Sequence, residues 1–156
     1  MEYRGDSPIC ATPRSERTRR RAFVTVDPAE LTERQRAYLP GLLGMHYTET
    51  SRDRLVAELT IRDDLRTLGG ALHGGTIMAF ADTVGATATF LNLPPGASTT
   101  TIESKTNFFA AGREGVVRAE TTPLHRGRTT MVWQTRVTDA AGRLLAQTIQ
   151  TQMVLT

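Results

Sequence analysis

Along most of the chain, hydrophobic and polar positions follow one of two repeats. From Ser98 onward the repeat is two residues: Thr100–Phe109, Val116–Leu124, Thr129–Thr138 and Leu144–Leu155 are rich in β-branched and aromatic residues. They are parted by Ala110–Gly115, by His125-Arg-Gly-Arg128 and by the hairpin signal Asp139-Ala-Ala-Gly142. This pattern predicts four strands in an antiparallel meander. Upstream, Leu42–Glu49 and Arg54–Ile61 read as two more strands around a polar turn, giving a sheet of about six. Ahead of them, Asp27 can cap a short helix reaching about Tyr38, with Pro28 at its first position and Glu30 completing a capping box. The Pro40-Gly41 dipeptide should end it.

The segment Thr76–Leu91 breaks both patterns, because it runs almost without charge over about 16 residues, too long for a typical strand. It reads as a helix that is apolar nearly all round and therefore buried on most sides. Ala79, Ala81, Gly85, Ala86 and Ala88 keep it thin enough for close approach by a sheet. Thr87 and Thr89 are mediocre helix formers, so packing must hold it rather than propensity. One long helix against an antiparallel sheet of about six strands is an α+β fold.

With 156 residues and 39% hydrophobic content, the chain suits one domain with a core of its own, taken as 23–156, plus an Arg-rich tail, 1–22. That tail carries Arg4, Arg14, Arg17, Arg19, Arg20 and Arg21 among Pro and Ser with no apolar period, and reads as disordered. It holds much of the excess behind the net charge of +3 and the pI of about 9.6, so the basicity reads as a solvated extension rather than a nucleic-acid surface. No run of about 18 apolar residues exists, which excludes a membrane-spanning helix. The opening residues lack the apolar core of a signal peptide, and the single Cys10 cannot support an internal disulfide framework. These features favour the cytoplasm.

Asp82 is the only charge between Thr76 and Leu91. A carboxylate withdrawn from water costs several kcal/mol unless well paired, so its presence there points to a nucleophile or general base. At the head of the same helix stands His73-Gly74-Gly75. Free N–H groups at a helix N-terminus carry the positive end of the dipole, and glycines admit a close ligand, so the Gly74 N–H is a candidate oxyanion donor. His73 would orient the carbonyl or position the loop. The two features lie nine residues apart on one helix, about 13 Å of rise, and cannot reach the same carbonyl. Either only one of them is catalytic, or the site is built across a two-fold interface, with His73 and Gly74 from one subunit facing Asp82 of the other; a dimer satisfies both features and is the expected arrangement.

The run Gly70-Ala-Leu-His73-Gly-Gly-Thr-Ile-Met-Ala-Phe-Ala-Asp82 resembles the signature of the PaaI-like (phenylacetate-pathway) branch of the hotdog thioesterases. Thr106-Asn107-Phe108-Phe109, the Gly127-Arg128 turn and Asp139–Ala146 extend the likeness, from about Leu43 to Leu155. The resemblance implies a hotdog fold, a long central helix wrapped by the sheet, in dimers that often pair into tetramers. It also implies hydrolysis of an acyl-CoA or other acyl-pantetheine thioester without metal or organic cofactor. Catalytic roles carry over to Asp82, His73 and Gly74, and substrate contacts to Gly75, Thr67, Asn107 and Phe108. Two positions depart from the pattern: Thr67 stands where many relatives have Asn or Gln, and Ala86 where some have a hydroxyl.

Arginine suits the phosphates of CoA, and Arg126 and Arg128 in a strand–strand turn are the first candidates, with Arg113 and Arg66 behind them. His46 and His125 have no acid, Cys or His partners at metal-ligand spacing. Trp133 reads as core or as acyl-pocket wall, and no Gly-x-Ser-x-Gly elbow is present. The competing reading is a hotdog protein that binds an acyl thioester without hydrolysing it. Thr67 and the basic tail favour that reading, and Asp82 opposes it.

Overall fold

The computed structural model describes residues 23–156, so the expected disordered tail lies outside the described residues. The first helix, α1 (Pro28–Gln35), begins where Asp27 Oδ1 accepts the Ala29 and Glu30 N–H groups at 2.9 and 3.3 Å. Glu30 does not close a capping box; its carboxylate pairs instead with Arg34 one turn on, at 2.6 Å. Pro40 starts a second short helix, α2 (Leu39–Leu43), whose last two residues, Leu42 and Leu43, the sequence pattern places at the start of a strand. Its ring sets a helical φ at a first-turn position, and Gly44 ends the helix in the left-handed region at φ 73°. Gly41 permits the tight packing of α1 on α2, since a Cβ there would lie 1.9 Å from the Arg36 carbonyl oxygen.

Strands β1 (His46–Thr50) and β2 (Leu55–Thr60) follow, then the long helix α3 (Gly74–Leu91). Four strands complete the chain: β3 (Ser98–Phe108), β4 (Val116–Arg126), β5 (Thr130–Asp139) and β6 (Leu144–Leu155). All pairings are antiparallel and the order across the sheet is β1-β2-β4-β5-β6-β3. Only β4, β5 and β6 form a meander. The expected four-strand meander is corrected because β3 pairs with β6, and the Phe109–Gly115 connector crosses the end of the sheet to reach β2. That crossing is pinned by Phe109 N–H to Leu145 O (2.8 Å), Leu72 N–H to Gly112 O (2.8 Å) and Ile61 N–H to Gly115 O (2.9 Å).

The inner face of the sheet holds α3. Ile77, Phe80, Ala81, Val84, Ala88 and Leu91 meet Leu55, Leu59, Val117, Ala119, Met131, Trp133 and Val137 in one hydrophobic core. Trp133 is therefore core. A cross-strand row of threonines runs through the same face, Thr121–Thr135 and Thr106–Thr148 each sharing a hydroxyl bond of 2.7 Å. On the far side of α3, the buried Tyr47 hydroxyl bonds Gln35 Oε1 (3.0 Å) and Thr87 Oγ1 (2.9 Å). Burial pushes the Tyr47 phenol up to about 12, although both hydrogen bonds act against the rise.

The helix is not enclosed all round. Met78, Asp82, Ala86 and Phe90, each four residues from the last, form one stripe in which Met78 and Phe90 are exposed and the other two half-exposed. Beside this open side, β3 is a sheet edge of 11 residues with Ile102 and Phe108 about half exposed.

Candidate active site

Helix α3 begins at a turn that the sequence builds around His73. The His73 N–H bonds the Leu65 carbonyl (2.9 Å), and Arg66 bridges Leu72, so the loop folds back on itself before the helix starts. His73 has extended backbone and serves as the N-cap, its Nδ1 accepting the Gly75 N–H at 2.8 Å. With Nδ1 accepting, a ring proton belongs on Nε2, which has no hydrogen-bond partner among the described residues. The Gly75 N–H is thereby taken, which removes it as a donor to substrate. The Gly74 N–H has no acceptor among the described residues. It stands at the positive end of an 18-residue helix, where a developing oxyanion is best held. Phe108 of β3 packs over it: a Cβ on Gly74 would meet the ring at 3.4 Å.

Asp82 projects from the middle of α3 toward the β6 side of the sheet. The buried Gln150 of β6 donates Nε2–H to Asp82 Oδ1 at 2.7 Å and also reaches the Asp82 main-chain oxygen at 3.2 Å. Oδ2 has no protein partner among the described residues. The residue is half-buried rather than sealed in, because the stripe it occupies is open. Gln150 was not picked out by the sequence, where it is one of several polar residues alternating along a strand.

The remaining candidates divide by position. Thr67 is exposed at the tip of the loop before α3, its N–H bonded to Ala71 O (2.8 Å) and its carbonyl to the Gly70 N–H (2.9 Å). Thr106 and Phe108 point inward, to Thr148 and Gly74, so strand alternation turns Asn107 to the outer face, away from the helix N-terminus. Arg126 is held within the fold: its guanidinium bonds Arg52 O (2.8 Å), Asn92 Oδ1 (3.4 Å) and the Asp53 carboxylate, at the C-terminal end of α3. Arg128 is exposed and makes no ion pair among the described residues. Arg66 pairs with Asp63 at 3.2 Å, and Arg113 donates to Gly69 O at 2.9 Å. A cleft of about 390 Å³ lined by Ala111, Gly112, Arg113, Glu114, Asp139 and Arg143 lies beside that last contact. Neither it nor an apolar cleft of about 360 Å³ around Phe90 takes in His73 or Asp82.

The Thioesterase superfamily model matches residues 69–146, the span that holds His73, Gly74, Asp82 and strands β3 to β5. The 1,4-dihydroxy-2-naphthoyl-CoA hydrolase of Escherichia coli is 30% identical over 115 residues, 74% of this chain and 85% of that protein. Among solved structures, a Haemophilus influenzae thioesterase superposes with a TM-score of 0.83 at 25% identity, covering 86% of this chain and 95% of its own. A phenylacetic-acid-degradation-related protein of Ralstonia eutropha shares the fold, with a TM-score of 0.70 at 24% identity over 74% of this chain and 88% of its own. A six-stranded antiparallel sheet around one long helix, with the family's match laid across the His73–Asp82 helix, identifies the chain as a hotdog-fold member of the thioesterase superfamily and a thioester hydrolase.

Proposed function

We propose that the chain hydrolyses acyl-CoA thioesters as a cytoplasmic homodimer, with each active site formed by His73 and Gly74 of one subunit and Asp82 of the other. The observation that carries this reading is the placement of the free Gly74 N–H and the half-exposed Asp82 on one rigid helix. Eight residues of α-helix separate them by about 12 Å along the axis, well beyond the reach of one carbonyl group. Two further features support it. The edge strand β3 has an unpaired ladder side next to the stripe of Met78, Asp82 and Ala86, and long uncovered edges of this kind are usually paired or covered. A second copy related by a two-fold axis would cover edge and stripe together and bring each Gly74 toward the other subunit's Asp82.

In such a site the Gly74 N–H receives the charge that develops on the thioester carbonyl oxygen. Asp82 supplies the carboxylate that attacks the carbonyl carbon or takes the proton from the water that does. When water attacks, the C–S bond breaks to give the free acid directly and the proton held by Asp82 passes to the departing thiolate; when Asp82 attacks, the C–S bond breaks to leave a mixed anhydride on Asp82, which a water molecule then hydrolyses to the free acid. The hydrolase named above acts on a CoA thioester, which supports the same class here. Of the four candidate arginines, Arg128 is the exposed one that makes neither an ion pair nor a side-chain hydrogen bond among the described residues, which leaves its guanidinium free for a CoA phosphate.

Thiol release from a panel of aliphatic and aromatic acyl-CoAs tests the reading. Asp82→Asn is expected to lower turnover about a hundredfold or more at unchanged oligomeric size, the scale of losing a positioned catalytic group. Equal turnover in both proteins would remove Asp82 from the mechanism.

A further inference from the structure

Gln150 sits fully buried on β6, with Trp133 of β5 and Ser104 of β3 as its cross-strand neighbours. Most large side chains around it are apolar, and a carboxamide there needs a reason. Its orientation is fixed by chemistry: both atoms of Asp82 that it meets, Oδ1 and the main-chain oxygen, are acceptors, so the amide nitrogen must face them. That leaves Gln150 Oε1 buried without a donor among the described residues. The oxygen lies where a Cβ on Gly85 would come within 1.9 Å, so only glycine at position 85 admits the carboxamide. The fold accepts an orphaned buried oxygen and a glycine inside a helix, both unfavourable, and the contact that results is the one from Gln150 to Asp82.

We infer that Gln150 is a positioning residue that anchors Oδ1 of Asp82 and so presents Oδ2 as the reacting oxygen, with Gly85 as the space that lets it do so. The inference rests on the assignment of Asp82 as the catalytic carboxylate. A carboxylate tied at one oxygen and at its own main chain has one accessible rotamer, whereas an untied one on an open stripe samples several, and misplacement of a reacting group by about 1 Å costs up to about a hundredfold in rate. The carboxamide acts through Asp82 and does not touch the substrate.

The test compares wild type, Gln150→Met and Asp82→Asn by thiol release, with thermal midpoint and oligomeric size measured on each. Met keeps the volume and removes both the N–H and the orphaned oxygen. The expected result is a kcat lowered about 10- to 100-fold, KM within about twofold and a thermal midpoint no lower than wild type. A role confined to packing would move the midpoint and leave kcat alone. If Gln150→Met keeps wild-type kcat while Asp82→Asn is inactive, the inference is overturned and the assignment of Asp82 stands. If Asp82→Asn is fully active, the assignment itself fails and the inference with it. Should Gln150→Met not fold, Gly85→Ala gives the same readings, because its methyl displaces the carboxamide in a residue otherwise favoured in helices. Wild-type kcat in Gly85→Ala would count against the inference in the same way.

Discussion

The Phe108 ring of the edge strand lies against Gly74 at the first position of the long helix, 3.4 Å from where a Cβ would stand. This contact fixes the height of β3 relative to the helix N-terminus and walls one side of the free Gly74 N–H. It also permits a clean deletion of that donor. Proline is favoured at the first helical position, and the preceding His73, at φ −64° and ψ 136°, already has the extended backbone that a following proline demands. Gly74→Pro should therefore fold with a thermal midpoint close to wild type. Turnover should fall about 100- to 1,000-fold, the scale of removing one oxyanion donor, with KM little changed. Steady-state kinetics beside a melting curve check this; wild-type kcat in the folded variant would remove the Gly74 N–H from the reaction.

The two turn arginines should separate in function. Arg126 holds the C-terminal end of α3 to the β1–β2 turn through Asn92, the Arg52 carbonyl and Asp53. Arg126→Ala leaves those acceptors with fewer donors and should cost roughly 1–3 kcal/mol of stability at unchanged KM. Arg128→Ala should leave stability unchanged and raise KM for acyl-CoA several-fold, with little effect on the matching acyl-pantetheine thioester, which lacks the nucleotide phosphates. Denaturant melts and KM values on the two substrates distinguish the pair.

On the outer face of the sheet, Arg54 and Arg118 both donate to Glu120 Oε2 at 2.9 Å, and Arg54 also grips Glu49. The Arg54 bond holds the Glu120 carboxyl below the usual carboxylate range, with Arg118 adding to the effect and burial opposing it. A lowered folded value means that the ionised form stabilises the fold. The contribution is complete above the unfolded value near 4.3 and is lost as pH falls through the lower folded one. At neutral pH Glu120→Gln should cost about 1 kcal/mol, roughly 2–4 °C in Tm, since the group is partly exposed and screened. The gap between the two melting curves should close as pH falls below about 4. A gap that persists or widens in acid would refute the assignment.

Much of this was legible in the residues, and what was hidden has identifiable causes. The long helix followed from an uncharged run that no strand could accommodate, and the strands followed from their period of two. Local patterns carry no information about which strands become neighbours, so the place of β3 beside β6 emerged only from the crossing connector. Pro40 signals a stop although the same ring also starts helices, and the apolar pair Leu42-Leu43 ends α2 instead of opening a strand. The open stripe on α3 was hidden because Met78, Ala86 and Phe90 look like core to any hydrophobicity scale, whether they face a sheet or another subunit. The family likeness groups Asn107 and Phe108 as substrate contacts, while strand alternation allows only one of them to face the helix. Gln150 escaped for the opposite reason: a glutamine in a strand reads as outward-facing, and its burial is visible only once the 1.9 Å conflict with a Cβ at Gly85 is seen.

A site shared between subunits makes a prediction that a site within one chain does not. Gly74→Pro disables the oxyanion donor and Asp82→Asn the carboxylate, so each variant alone has two damaged sites per dimer. When equal amounts are dissociated together and reassociated, about half of the dimers contain one chain of each kind. In such a dimer one site collects both lesions, and the other pairs an intact Gly74 with an intact Asp82. The mixture should therefore recover about a quarter of the wild-type rate, a large rise over either variant on its own. If Gly74 and Asp82 of the same chain served one site, every site in every dimer would carry a lesion and mixing would restore nothing. The reassociated sample can be checked for mixed dimers by mass before assay, so that absence of recovery counts directly against the shared site.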